Sequence, residues 1–199
     1  MPRKSKRSGL AKRVNRLERT TRPEVKHYQD NVDFTTVGSV SGTLIKPQQL
    51  SQSTSRGGRV GDKVKSKKLY FQALFKMPNL PANPTCAVRI LILRSKLQDP
   101  DTSDMPNWYG SVDQDKFFVI RDVLTQVSQV GQTTSSGTAI QTGSTIRTLK
   151  FSVPLGLRKM QYDGGAFSSP LNNEYVIYMI AENQSAEVAY NWRHFYIDN

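Results

Sequence analysis

Apolar and polar side chains alternate with period two from Lys63 to Met77. Leu69, Phe71, Ala73, Phe75 and Met77 fall on one face, and Lys68, Tyr70, Gln72, Leu74 and Lys76 on the other. That pattern predicts a half-buried strand. The run before it, Arg56-Gly57-Gly58-Arg59-Val60-Gly61-Asp62, holds three glycines in five positions and predicts a tight, positive-φ hairpin turn. Cys86 to Leu97 carries apolar groups on both faces, with Ala87, Leu91 and Leu93 on one and Val88, Ile90 and Ile92 on the other, broken only by Arg89 and Arg94. This is the pattern of a central strand covered on both sides.

The same grammar of turn and strand continues to the C-terminus. Phe117 to Val127, Thr145 to Val153, a short Leu157 to Tyr162, Glu174 to Glu182 and Val188 to Asp198 read as strands. Turns are expected at Val130-Gly131, Tyr162-Asp163-Gly164-Gly165 and Ser169-Pro170-Leu171-Asn172-Asn173. Upstream, Val25 to Phe34 is a polar first strand, and 35–50 is a Gly/Ser/Thr run holding the short piece Gly42-Thr43-Leu44-Ile45. Residues 98–116 form an Asp- and Pro-rich loop with Trp108-Tyr109 in its middle. Helical spacing occurs in one place, where Leu10, Val14 and Leu17 make a narrow stripe among Lys12, Arg13, Arg16 and Arg19 before Pro23. A helix this short is marginal alone and needs a partner. Seven or eight short strands predict an all-β sandwich or barrel.

Composition adds a division that the hydrophobic pattern does not show. Residues 1–26 hold ten Lys/Arg against Glu18 and Glu24, a balance of +8 out of the chain's +12, so the remaining 173 residues of the 199 carry only +4. The chain therefore reads as a basic arm, 1–24, joined to one β domain, 25–199. Arg3, Lys4, Lys6, Arg7, Lys12, Arg13, Arg16, Arg19 and Arg22 are the candidate nucleic-acid-binding residues, because clustered cations on a tail with few apolar groups grip polyanions. A solubilising or nuclear-targeting tail is the competing reading of Pro2 to Arg7, and the two are compatible. Lys63, Lys65, Lys67, Arg147, Lys150, Arg158 and Lys159 could extend the basic surface, with solvated strand charges as the alternative. The longest apolar run, Tyr175 to Ala181, is far short of a bilayer span, and the N-terminus is too polar for a signal peptide, so a soluble, non-secreted protein is expected. The single cysteine, Cys86, excludes an internal disulfide framework and reads as a packing residue.

Enzymatic signatures are missing. His27 and His194 are the only histidines, and no nucleophile elbow, phosphate-binding loop or dinucleotide fingerprint occurs. Asp99, Asp101 and Asp104 lack the calcium-loop spacing and read as turn carboxylates. Arg56 to Gly61 precedes no helix, which argues against a phosphate cradle.

Several stretches in succession carry a resemblance: G-G-R-V-G-D-K-V-K-S-K-K-L-Y-F, R-I-L-I-L-R-S-K, F-F-V-I-R-D-V-L-T, L-K-F-S-V-P-L-G-L-R-K-M-Q-Y-D-G, N-N-E-Y-V-I-Y-M-I-A and the closing R-H-F-Y-I-D-N. Together with the basic arm, over nearly the whole chain, they resemble the capsid proteins of satellite tobacco necrosis virus and of circular single-stranded DNA viruses of the circovirus type. The resemblance implies a single eight-stranded antiparallel jelly roll with strands near 25–45, 63–77, 86–97, 116–127, 144–153, 157–163, 174–183 and 188–198. It further implies a T=1 icosahedral virion of roughly sixty copies of this chain, with the arms turned inward onto a single-stranded genome. Sixty arms of +8 would place about 480 charges inside, enough to neutralise phosphates by the hundred without reading bases. The resemblance favours DNA over RNA, and it leaves the host-cell or vector receptor unidentified. It implies no enzymatic cofactor, but allows calcium between subunits, with Asp198 as a ligand beside carbonyls of Val60 to Lys63. It also places the 98–116 loop at the end of the jelly roll that surrounds a fivefold axis, with Trp108 and Tyr109 covered by a neighbouring subunit or by the loop itself. Two other functions remain open: a non-assembling nucleic-acid-binding module that stacks bases on Tyr70, Trp108 or Trp192, and a β-sandwich enzyme, for which no acid/base pair stands out.

Overall fold

The computed structural model describes residues 24–54, 57–78, 84–133, 139–163, 169–184 and 186–198. The arm residues Arg3 to Arg22 and the helix expected over 10–19 lie outside them. The strands are β1 (Val25–Thr36), β2 (Thr43–Ile45), β3 (Lys63–Lys76), β4 (Thr85–Ser95), β5 (Phe117–Thr133), β6 (Ala139–Ser144), β7 (Arg147–Gln161), β8 (Tyr175–Ala181) and β9 (Glu187–Asp198), with one short 3-10 turn at Thr102–Asp104. They form two antiparallel sheets, a four-stranded one in the order β1-β9-β3-β7 and a five-stranded one in the order β2-β8-β4-β5-β6. The protein is an all-β sandwich. Apart from the β4-β5-β6 run, each strand is followed by one in the other sheet.

The core lies between the sheets. Phe71, Ala73 and Phe75 of β3 meet Val88, Ile90 and Ile92 of β4, Ile177 and Met179 of β8, and Trp192 of β9, as the alternation predicts for β3. A second cluster lies on the far side of the five-stranded sheet, where Leu91, Leu93, Val176, Tyr178 and Ile180 are buried beneath Met105, Trp108 and Val112 of the 98–116 loop. All seven residues of β8 are buried for this reason. The two-faced apolar pattern of β4 has the same explanation.

Three boundaries differ from those expected. Residues 25–45 make two strands in different sheets, because the chain turns between Gly38 and Gly42 to cross the sandwich edge. Gly42 sits at φ +60, and a Cβ there would come within 2.5 Å of the Tyr178 ring, so both backbone and space require glycine. The expected break near Gly156 is instead a bulge within β7. Ser66 pairs with Arg158 and Lys68 with Pro154, and Gly156 and Leu157 take positive φ. Pro154 is tolerated because β7 is a sheet edge. Finally, β5 runs through Val130-Gly131, which is a register shift against β6 rather than the turn.

The glycine-rich run before β3 is not a hairpin. Gln52 and Arg59 form a parallel bridge, and the fully buried Arg59 organises the loop. Its Nη1 donates to Gly61 O at 2.8 Å and to Asp62 Oδ1 at 3.0 Å, and its guanidinium lies 4.5 Å from the Tyr162 ring centre. Such a cation is tolerable in the interior because its donors are satisfied. Among the described residues Gly57, Gly58 and Gly61 have no positive φ. Gly58 is needed instead because Ser53 packs against its Cα.

The 98–116 loop joins β4 to β5, so it shares an end of the sandwich with 46–62 and 162–174. It does not share an end with the β1–β2 connection, as a loop between the third and fourth strands would. Asp99 ties this end together, accepting from Lys46 Nζ at 2.6 Å and from Ser169 Oγ at 2.7 Å. Arg89 holds the loop down, donating from Nη1 to Trp108 O and Gly110 O while pairing with Asp122 at 2.7 Å. Trp108 is thus packed by its own chain, whereas Tyr109 is 85% exposed.

Candidate nucleic-acid interface

Because β3 buries its odd-numbered side chains from Leu69 to Phe75, its other face points away from the core. Cross-strand partners share a face, so register assigns the remaining strands. Lys65 stands between Lys159 and Ile197, Lys68 between Pro154 and Phe195, Tyr70 between Ser152 and Arg193, and Gln72 between Lys150 and Asn191. On β1, His27, Gln29 and Asn31 face Phe195, Arg193 and Asn191. Seven cations therefore occupy the outer face: Lys63, Lys65, Lys68, Lys76, Lys150, Lys159 and Arg193. The same strands carry four carboxylates, Asp30, Asp33, Glu187 and Asp198, of which Asp198 is paired with Lys26. Lys76 is paired with Glu187 at 3.3 Å. A surface with this balance attracts polyanions.

Aromatic rings are interleaved with the charges. Lys68 and Arg193 each lie 6.0 Å from the Phe195 ring centre, and His27 is 6.0 Å from the same ring. Of the cations named from sequence, Lys63, Lys65, Lys150 and Lys159 come together here. Lys67 is the unpaired bulge residue, and Arg147 and Arg158 pair with the core-facing Phe75 and Ser66. Lys68 and Lys76 were legible in the alternation of Lys63 to Met77. Arg193 was not grouped with them, since only the β3–β9 pairing brings it there.

The chain enters this sheet from the arm at Val25, where β1 pairs with Ile197 of β9. Next to that entry, Asp198 Oδ2 accepts from Lys26 Nζ at 2.6 Å and from Val60 N at 3.2 Å. Among the described residues no group of three or more His, Cys, Asp and Glu could hold a metal. Within the single chain Asp198 is partnered by Lys26, and a calcium site there would need oxygen ligands from a second subunit. Asp99 is engaged apart from Asp101 and Asp104, which share the capping box of the 3-10 turn, where Asp104 Oδ2 accepts from Asp101 N at 3.2 Å. Hydrogen bonds from Lys46 and Ser169 lower the Asp99 pKa, the hydroxyl and N–H of Ser103 lower that of Asp101, and Asp104 pairs with Lys116 at 3.0 Å.

Two buried titratable groups lie apart from this face. Ser66 Oγ and His194 Nε2 are 2.9 Å apart, which resembles a nucleophile with its base. Both are fully buried, however, and Gln48 Nε2 also donates to the same hydroxyl at 3.0 Å. Burial pushes the imidazole down to about 3, so it is neutral, and no substrate can reach the pair. Glu174 is also fully buried, and neither carboxylate oxygen has a hydrogen-bond partner among the described residues. Burial pushes its pKa up to about 7, with Lys46 opposing and Asp99 reinforcing the shift.

No protein-family model and no curated protein matches the chain. Among solved structures, a chain in the cryo-EM structure of the mud crab dicistrovirus is similar at a TM-score of 0.36 and 14% identity, covering 86% of this chain and 68% of that one. The functional reading rests on the residues of the chain itself.

Proposed function

We propose that this protein is the shell subunit of a small icosahedral virus and packages a single-stranded genome through its basic arm. The observation that carries the reading is the joining of a strongly basic arm to the edge of a sheet whose outer face is itself basic. The strand order supports it. With β6 set aside as an extension of β5, β1-β9-β3-β7 opposite β2-β8-β4-β5 is the order of an eight-stranded jelly roll. Identical copies would cover exposed apolar groups such as Leu124 and Ile146, 65% and 61% exposed in the single chain. On this reading the protein has a structural rather than enzymatic role, in the virion and, through the arm, in the host nucleus during assembly.

Electron microscopy of the purified full chain tests the proposal. Uniform closed particles containing nucleic acid are expected, and deletion of residues 1–22 should yield folded protein whose particles lack it. A monodisperse monomer in the presence of nucleic acid would overturn assembly and favour a non-assembling binding module, which the basic outer face would also serve. Truncated protein that kept its affinity and salt slope would move the phosphate contacts from the arm to the body.

A further inference from the structure

A concavity of about 440 Å3 opens on the outer face of the four-stranded sheet, between β1, β9 and β3. Its size is in the range of small-molecule clefts, ~300–1,000 Å3. Gln29 and Asn31 line it from β1, Asn191 and Arg193 from β9, and Tyr70 and Gln72 from β3, with Asp30 as the one bordering carboxylate. This lining is unusual for a sheet surface because four of the six side chains are primary amides, each offering a donor and an acceptor in one plane.

Internal hydrogen bonds hold two of the amides in one orientation. The Tyr70 hydroxyl donates to Gln72 Oε1 at 2.9 Å, and Arg193 Nε donates to Gln29 Oε1 at 2.8 Å. Both glutamines therefore turn their NH2 groups outward, and the terminal nitrogens of Arg193 stay available. Asn31 and Asn191 make no side-chain hydrogen bond to another described residue. Lys150 stands beside Gln72 across the strand pair, and Lys68 lies next to Phe195.

We propose that this groove takes an unstacked nucleobase of single-stranded nucleic acid, its edge against Gln72 and Asn191 and its flanking phosphates on Lys68, Lys150 and Arg193. The inference deepens the packaging reading and rests on nucleic acid lying along this sheet. A base in a duplex has its Watson–Crick edge engaged and cannot present it to the amides, so the groove discriminates single from double strands. Because Gln72, Gln29 and Arg193 present mainly donors, edges rich in carbonyl oxygens, such as those of thymine and uracil, are preferred over adenine.

The test measures the full chain against labelled oligo-dT, oligo-dA and a duplex of equal length by fluorescence anisotropy over a salt series. The double variant Gln72→Ala/Asn191→Ala should lose about tenfold in affinity for oligo-dT, with duplex affinity and salt slope unchanged. Equal losses on single strand and duplex, or no loss with an unchanged melting temperature, would overturn the proposal. Photocrosslinking with a bromouracil-substituted oligonucleotide gives an independent readout. The peptide holding Tyr70 should be labelled, and labelling confined to residues 1–23 would also overturn it. Particles that package nucleic acid without crosslinking at Tyr70 would remove the groove and leave the capsid reading standing. Crosslinking at Tyr70 in a protein that never assembles would do the reverse.

Discussion

The two outer faces of the sandwich have opposite fates. On the five-stranded sheet, Leu91, Leu93, Val176, Tyr178 and Ile180 turn outward and are roofed by the 98–116 loop, so β4 and β8 are buried on both sides, while β5 keeps Leu124 exposed. On the four-stranded sheet the outward positions include Lys, Gln, Asn and Arg interleaved with Tyr70, Leu74 and Phe195, and no described loop covers them. A face that is costly to wet has been sealed by its own chain. The face that keeps its water is left free to meet something charged. The difference locates stability on one side of the protein and recognition on the other.

Substitutions can break this contrast in order of size. Leu91→Ala, beneath the loop, should cost about 2–5 kcal/mol in chemical denaturation, whereas Gln72→Ala on the open face should stay within about 0.5 kcal/mol. Comparable losses at both positions would erase the distinction.

Glu174 sharpens it through pH. Its folded pKa of about 7 lies above the model-peptide value of 4.5, so the folded protein binds the extra proton between those values. The associated stability is full below pH 4.5 and is lost as pH rises through about 7, roughly 3 kcal/mol in all. His194 has the opposite sign: its folded pKa of about 3 lies below 6.5, so its contribution is full above pH 6.5 and is lost as pH falls toward 3. Between pH 4.5 and 6.5 the two slopes cancel, and stability should show a plateau there. Glu174→Gln should remove the alkaline loss and turn the plateau into a rise toward pH 6.5 from His194 alone, as thermal melts at pH 5, 6 and 8 would show.

Arg89→Ala should cost about 1–3 kcal/mol, since it strands Asp122 and two loop carbonyls. It should also make 98–116 the first site of limited proteolysis. The smallest effect on folding belongs to the open face. Lys65→Gln, Lys150→Gln and Lys159→Gln together should leave the melting temperature unchanged, while the salt slope for single-stranded nucleic acid falls by roughly 0.7 per phosphate contact removed. An unchanged slope would mean that the arm alone meets the phosphates.

Where a property depends on neighbours in sequence, the residues announce it. The alternation of Lys68 to Met77 assigns both faces of that part of β3, the apolar run of β4 requires cover on both sides, and the arm's cations are clustered for any reader to count. Most of the strands, and the sandwich they imply, follow from such local patterns. Other features are set by contacts between residues far apart. Gly42 splits 25–45 because Tyr178 leaves no room for a side chain, and Gly156 kinks β7 without ending it because β3 continues to pair on both sides of the bulge. The hairpin expected around Gly57 to Gly61 fails because Arg59 finds buried partners that no turn rule includes. The candidate site belongs to the same class. Gln29, Gln72, Asn191 and Arg193 are ordinary polar strand residues until the β1–β9–β3 register sets them side by side. Side-chain alternation is fixed within an unbroken strand by backbone geometry, but bulges and the register between strands are fixed by tertiary pairing. The sequence alone therefore determined which residues of an unbroken run share a face, and only the tertiary structure decided, at the Ser66–Lys68 bulge, that Lys63 and Lys65 join the outer one and which residues meet there.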